Sequence, residues 1–167
     1  MQAISELISY VMQKPLLAIG LIAILLYWLL EEDASALTFS QVTVRAEDYA
    51  QSVLLWCALN FKDEYNKKPS IVFYKNRKTK DNRYGEYHGS TNEIRIFLNK
   101  NTTVQDITNT IIHEFAHAIQ HAKDGLKNYD RYTRQYGYQK NPYEKEARAL
   151  AEKYAPKCLK DLNYLYA

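Results

Sequence analysis

Apolar positions along the chain follow several distinct patterns. Residues 16–30, LLAIGLIAILLYWLL, are uncharged throughout, follow Lys14-Pro15 and stop at Glu31-Glu32-Asp33. Over residues 46–66, Tyr49, Val53, Trp56, Cys57 and Phe61 recur near every 3.6 positions, which predicts a helix closed by Lys67-Lys68-Pro69. Residues 71–74 (IVFY), 84–88 and 93–98 (EIRIFL) predict three strands, the last pairing back on the second as a hairpin across a turn at 89–92. The polar stretch 75–83 between the first two strands predicts a solvated hairpin loop. Thr102 and Gln105 have capping-box spacing, after which Val104, Ile107, Ile111, Phe115, Ile119 and Ala122 form an apolar stripe that Gly125 ends. A tyrosine-rich polar connection spans 126–140. A last helix starts at Asn141-Pro142, with asparagine as cap and proline in the first turn, and ends near Ala155-Pro156. The expected class is α+β: a small, mostly antiparallel sheet packed against the helix of residues 104–124, with an amino-terminal hydrophobic helix in addition.

A length of 167 residues suits one domain with a real core. The pattern divides it into a membrane-directed segment, 1–33, and a folded body, 34–167. A helix of residues 16–30 spans about 22 Å, short of the roughly 20 residues that cross a bilayer, although Val11 and Met12 extend it across Pro15. A secretory signal finds support in Ala34-Ser35-Ala36, a small-x-small cleavage pattern. An uncleaved anchor finds support in Tyr27 and Trp28 at one interface and in the length and weak charge of the region before the apolar run. The lone lysine before the segment and the acids after it send the body out of the cytoplasm in either case. The expectation is a single-pass membrane protein with its carboxy-terminal domain outside the cytoplasm; the alternative is a secreted or periplasmic protein.

The composition, 47% hydrophobic and 25% charged, is that of a globular chain and excludes disorder for the body. The formal charge is +3, but residues 34–167 carry 21 basic against 15 acidic residues. That excess is compatible with anionic partners, yet no nucleic-acid motif accompanies it, and none is expected as a partner. The basic run 75–80 lacks interleaved aromatics and glycines, so it reads as loop rather than phosphate site. Cys57 and Cys158 show neither zinc-finger nor CxxC spacing, and one disulfide or two buried thiols are equally compatible with them.

The segment His113-Glu114-Phe115-Ala116-His117 adds chemistry to the helix of residues 104–124. On a wheel of about 100° per residue the two histidines lie about 40° apart and opposite the apolar stripe, so both imidazoles reach one side. Two such ligands one turn apart can share a zinc ion at about 2.0–2.1 Å. Glu114, beside the first histidine, would point next to the metal, as suits a carboxylate that takes a proton from activated water and passes it to a leaving amine. His121 extends the series, but eight residues rise about 12 Å, too far for a third bond to the same ion. It reads as a rim or surface residue, and a third ligand must come from another element.

The helix after Asn141 offers one. HEFAH, followed 27 residues after His117 by E-x-E-A-x-x-x-A, resembles the gluzincin-type HExxH zinc metallopeptidases, and the order of three strands, HExxH helix and glutamate helix resembles the compact zincin core. The resemblance covers about residues 71–155 and implies Zn²⁺ held by His113, His117 and a downstream glutamate. Glu144 is the first choice, three residues before the alanine matched by Ala147, and Glu146 is the alternative. Without a metal, Glu144 would serve as capping partner of Asn141. Many relatives carry an acid or amide four positions after the ligand; this chain has Arg148, which removes that source of support. The resemblance also implies extended substrate held against an edge strand, a role for residues 93–98, and an oxyanion donor among Tyr129, Tyr132, Tyr136 and Tyr138.

Three functions compete. The first is a membrane-tethered or exported zinc metallopeptidase acting on a peptide or protein substrate. The second is a non-catalytic zinc-binding structural or interaction protein at the membrane. The third is a membrane-associated binding module in which HExxH is accidental.

Overall fold

The computed structural model describes residues 36–65, 67–75 and 83–166. Residues 1–33, with the expected amino-terminal hydrophobic helix, and most of the basic run lie outside the described residues. Among those described, no helix is long and apolar enough to cross a membrane. The chain forms α1 (Ala46–Asn60), β1 (Ser70–Lys75), β2 (Gly85–His88), β3 (Glu93–Leu98), α2 (Val104–Asp124), α3 (Tyr129–Tyr136) and α4 (Pro142–Asp161), with single 3₁₀ turns at Tyr138–Lys140 and Asn163–Leu165. The class is α+β, as the pattern requires.

The sheet is mixed rather than mostly antiparallel. Its order is β1-β3-β2, with β1 parallel and β2 antiparallel to β3. Ile94, Ile96, Phe97 and Leu98 are all buried, as suits the central strand of the sheet. The turn at 89–92 commits β2 to one edge, leaving β1 the other, in register from Ser70↔Glu93 to Lys75↔Leu98. Asn92, at φ 52°, closes the turn and accepts hydrogen bonds from the Tyr65 and Tyr87 hydroxyls. Two expectations fall with this order. The stretch 75–83 joins opposite edges of the sheet and is no hairpin loop, and 93–98 is the central strand, so it has no free edge for substrate.

Helix α2 organises the rest, packing against α1, α4, β2 and β3. Its cap lies one residue later than expected: Asp106 N donates to Thr103 Oγ1 at 3.0 Å and Thr103 N donates to Asp106 Oδ2 at 2.9 Å. Thr102 is instead buried, accepting from Asn99 N at 3.0 Å. The stripe from Val104 to Ile119 is buried, but Ala122 is exposed, and Gly125 stops the helix at φ 70°. The core gathers Tyr49, Val53, Leu54 and Cys57 of α1, Ile94 and Ile96 of β3, and Ile107, Ile111 and Phe115 of α2.

Three helix boundaries differ from expectation. α1 ends at Asn60, so that Phe61 can turn into the core and stack near Phe115 and Tyr154. The expected connection 126–140 contains α3. α4 continues through Pro156 to Asp161. An interior proline costs about 3 kcal/mol, but Pro156 and Glu152 are both exposed, where water can take the freed carbonyl, and the added turns bury Cys158 and bring Leu162 and Tyr166 into the core.

Candidate functional site

His113 and His117 stand one turn apart on α2 with ring centroids 4.9 Å apart, and the first turn of α4 brings Glu144 between them. Glu144 Oε2 lies 3.3 Å from His113 Nε2, and Oε1 lies 3.2 Å from His117 Nε2. Donors about 2.0–2.1 Å from a tetrahedral ion sit about 3.3 Å from one another. Among the described residues this is the one group of three His, Cys, Asp or Glu side chains able to hold a metal ion. The histidine face of α2 is not solvated: His117 is 6% exposed and Glu144 1%.

Glu144 is not a cap. Asn141 Oδ1 accepts from Tyr143 N at 3.0 Å, and its amide donates to Tyr129 O and Thr133 Oγ1, so the carboxylate is left to the histidines. Tyr129 OH donates to Glu144 Oε1 at 2.5 Å. Oε2 is buried without a hydrogen-bond partner; the approach of His113 Nε2 is at ion-pair range but lacks hydrogen-bond geometry. A buried carboxylate oxygen left in this way beside two imidazoles is what a divalent cation would complete. The donor set, two imidazoles and a carboxylate with an open side, is of the catalytic zinc type.

The electrostatics form one coupled group. Burial pushes the Glu144 carboxyl up, but the close approach of both histidines, the Tyr129 hydrogen bond and the His117 charge outweigh it and hold the group well below the usual carboxylate range. Burial pushes His117 down, and its contact with Glu144 and the charges of Glu114 and Glu144 raise it above the ordinary histidine value. Glu114 is raised, chiefly by burial, against the lowering effect of both histidines. Burial and the neighbouring Glu144 also raise the Tyr129 and Tyr138 hydroxyls far above the ordinary tyrosine range.

A cleft of about 550 Å³ opens on this centre, and its lining includes Tyr84, Gly85, His113, Glu114, Tyr138 and Arg148. Glu114 also receives the backbone N–H of Tyr87 from β2. β2 is thus the edge strand over the cleft. The four tyrosines separate by place: Tyr129 holds Glu144, Tyr138 lines the cleft, and Tyr132 and Tyr136 line a different depression with Lys140 and Lys145. His121 is half-buried, with Nδ1 3.2 Å from the Tyr87 hydroxyl, and is outside the cluster.

Glu146, the alternative ligand, is exposed and accepts from Gln120 Nε2 at 2.8 Å. Gln120 is a site residue that periodicity did not single out. It is buried, and its Oε1 lies 2.8 Å from His117 Nδ1. Its place three residues after His117, on the same helix face, was the available signal.

Residues 67–155, a little more than half of the chain, match the family model of the IrrE N-terminal-like domain (Peptidase_M78), and the chain belongs to that family. The match runs from before β1 into α4 and so includes the whole centre. No curated protein and no solved structure matches the chain. Membership makes residues 67–155 a zincin-like metallopeptidase-family domain.

Proposed function

We propose that this member of the IrrE N-terminal-like family is a zinc-dependent metallopeptidase of the gluzincin type, with His113, His117 and Glu144 as metal ligands and Glu114 as the catalytic carboxylate. One observation carries the reading: the buried His113–His117–Glu144 cluster meets the cleft on the side where Glu114 stands. A purely structural zinc site would be closed on every side, and this one is not.

His113, His117 and Glu144 would hold the zinc ion, which would supply the Lewis acidity that activates a water near neutral pH. Glu114, raised by burial, accepts the proton of that water and returns it to the leaving amine nitrogen. The Tyr138 hydroxyl, kept protonated at neutral pH, donates to the oxygen of the carbonyl under attack. Hydrogen bonding in the β2–β3 pair leaves the Gly85 N–H and C=O toward the open edge, where an extended peptide can add as a strand. The substrate is a peptide or protein, with no nucleic acid involved. Residues 16–30 tether the domain to the membrane, with the catalytic body outside the cytoplasm.

The test is zinc content and hydrolysis of an unfolded protein by the wild-type chain and four variants. Wild type is expected to hold about one zinc. Glu114→Gln keeps the metal and loses about 10²–10⁴ in rate. His113→Ala and Glu144→Gln lose the metal, and Glu146→Gln retains it under excess zinc. Full activity in Glu114→Gln, or metal loss in Glu146→Gln but not Glu144→Gln, would refute the assignment.

A further inference from the structure

The support that Arg148 cannot give is present elsewhere. Arg148 points one guanidinium nitrogen at Gln139 O at 2.5 Å and holds the other 3.6 Å from Glu144 Oε2, so it touches neither histidine by hydrogen bond. His117 is instead in contact with Gln120, whose amide has its own partners. Gln120 Nε2 donates to Tyr143 O at 3.0 Å and to Glu146 Oε2 at 2.8 Å. Both partners accept, one a backbone carbonyl and the other a carboxylate oxygen, and they consume both amide protons. The end of the amide turned to His117 is therefore the oxygen, and an oxygen 2.8 Å from Nδ1 requires a proton on Nδ1. A neutral imidazole with Nδ1–H carries its lone pair on Nε2, the nitrogen that faces Glu144 and the proposed metal position.

We propose that Glu146 and Gln120 form a positioning relay that orients Gln120 by its two acceptors, fixes His117 as the Nδ1–H tautomer, and so presents Nε2 to a divalent cation. The proposal rests on the metal reading above and adds roles for two residues of this chain. It also accounts for Glu146 lying near the ligands without being one: its carboxylate acts through Gln120.

The experiment is zinc competition against a chelator with the full-length chain, comparing wild type, Gln120→Leu, Glu146→Gln and the exchange Gln120→Glu with Glu146→Gln. Gln120→Leu is expected to weaken zinc binding about 10–100-fold. Glu146→Gln, which still offers Gln120 an amide oxygen, weakens it only a few-fold. The exchange keeps an acceptor for Nδ1–H at 120 and supplies it with a donor at 146, while the Tyr143 carbonyl loses the donor it had in Gln120; its affinity recovers to within about tenfold of wild type, above that of Gln120→Leu. That recovery separates the relay from a packing role, which the exchange would not repair. In the zinc-loaded wild type, long-range ¹⁵N spectra should show His117 protonated at Nδ1 with a slowly exchanging proton, and that proton should exchange rapidly in zinc-loaded Gln120→Leu. Zinc affinity indifferent to Gln120→Leu, or an exchange variant no better than Gln120→Leu, overturns the relay while leaving the metal site standing. A wild-type chain that takes up no zinc overturns both.

Discussion

Replacing Gly85 with alanine tests whether the edge strand over the cleft is placed by atomic contact with α2. A Cβ at this position would stand 2.6 Å from Thr110 Cγ2, 2.9 Å from the Arg95 carbonyl oxygen and 3.4 Å from Ile96 Cδ1. Carbon contacts are comfortable from about 3.5 Å, so strand and helix must part by several tenths of an ångström. Thr110 is β-branched and cannot swing its methyl away freely, and the Arg95 oxygen belongs to the backbone of the central strand. Overpacking of this kind costs about 1–3 kcal/mol. Moving β2 also draws the Tyr87 N–H away from Glu114, so hydrolysis should fall more than the stability loss alone would make it. The assay is urea unfolding beside turnover: Gly85→Ala lowers the midpoint without changing the slope. Adding Thr110→Ser removes the first clash but not the second, so it recovers part of the loss. A cost below about 0.5 kcal/mol, or complete recovery with Thr110→Ser, would refute the contact argument.

The zinc-free chain should lose stability as pH rises from about 5 to 8. His117 is raised, so its contribution is full below about pH 6.5 and disappears through its folded-state value; Glu114, also raised, acts in the same direction above the ordinary carboxylate range, whereas Glu144, lowered, changes only in acid. Denaturant unfolding with chelator at pH 5.5 and 8.5 checks this, and stability increasing across the window would contradict it. Cys57 and Cys158 are free and fully buried, burial pushing the second thiol up to about 12 and the first well above the ordinary range. A thiol reagent at pH 8 should label neither faster than the chain unfolds and both in denaturant; rapid labelling of either in the native state would count against their burial in the core. Thr103→Ala should cost about 1 kcal/mol by removing the cap of α2, and Gln105→Ala almost nothing, an order that thermal melts would reverse if the cap lay at Thr102.

What the sequence disclosed of the fold was its local part. The period of α2, its glycine stop and the Asn141-Pro142 start of α4 depend on residues a few positions apart, and each formed where the pattern put it. Strand order did not, because it depends on which edge remains free after the hairpin closes. IVFY and EIRIFL look alike as apolar runs, yet the second lies between two neighbours and the first at an edge. Pro156 misled for the opposite reason: the local rule that ends a helix at proline was outweighed by distant apolar surface, which only the assembled core supplies.

The site divides along the same line. His113, Glu114 and His117 were legible because their geometry is internal to one helix, and Glu144 because its helix could be matched to a resemblance. Gln120, which touches His117, and Glu146, which touches Gln120, were not, since an exposed glutamate and a glutamine on a helix carry no periodic signal of their own. Glu144 and Glu146 lie two positions apart, and helical geometry alone separates them: two residues turn about 200°, so one carboxylate faces the histidines and the other faces away. The away-facing one still reaches the centre, because Gln120 rises from α2 to meet it. On the proposed reading, the glutamate two positions after the third ligand therefore has a function of its own. In that reading, a ligand needs a buried carboxylate with an oxygen left over, as at Glu144, and a positioning group needs a partner whose other end touches a ligand, as at Glu146.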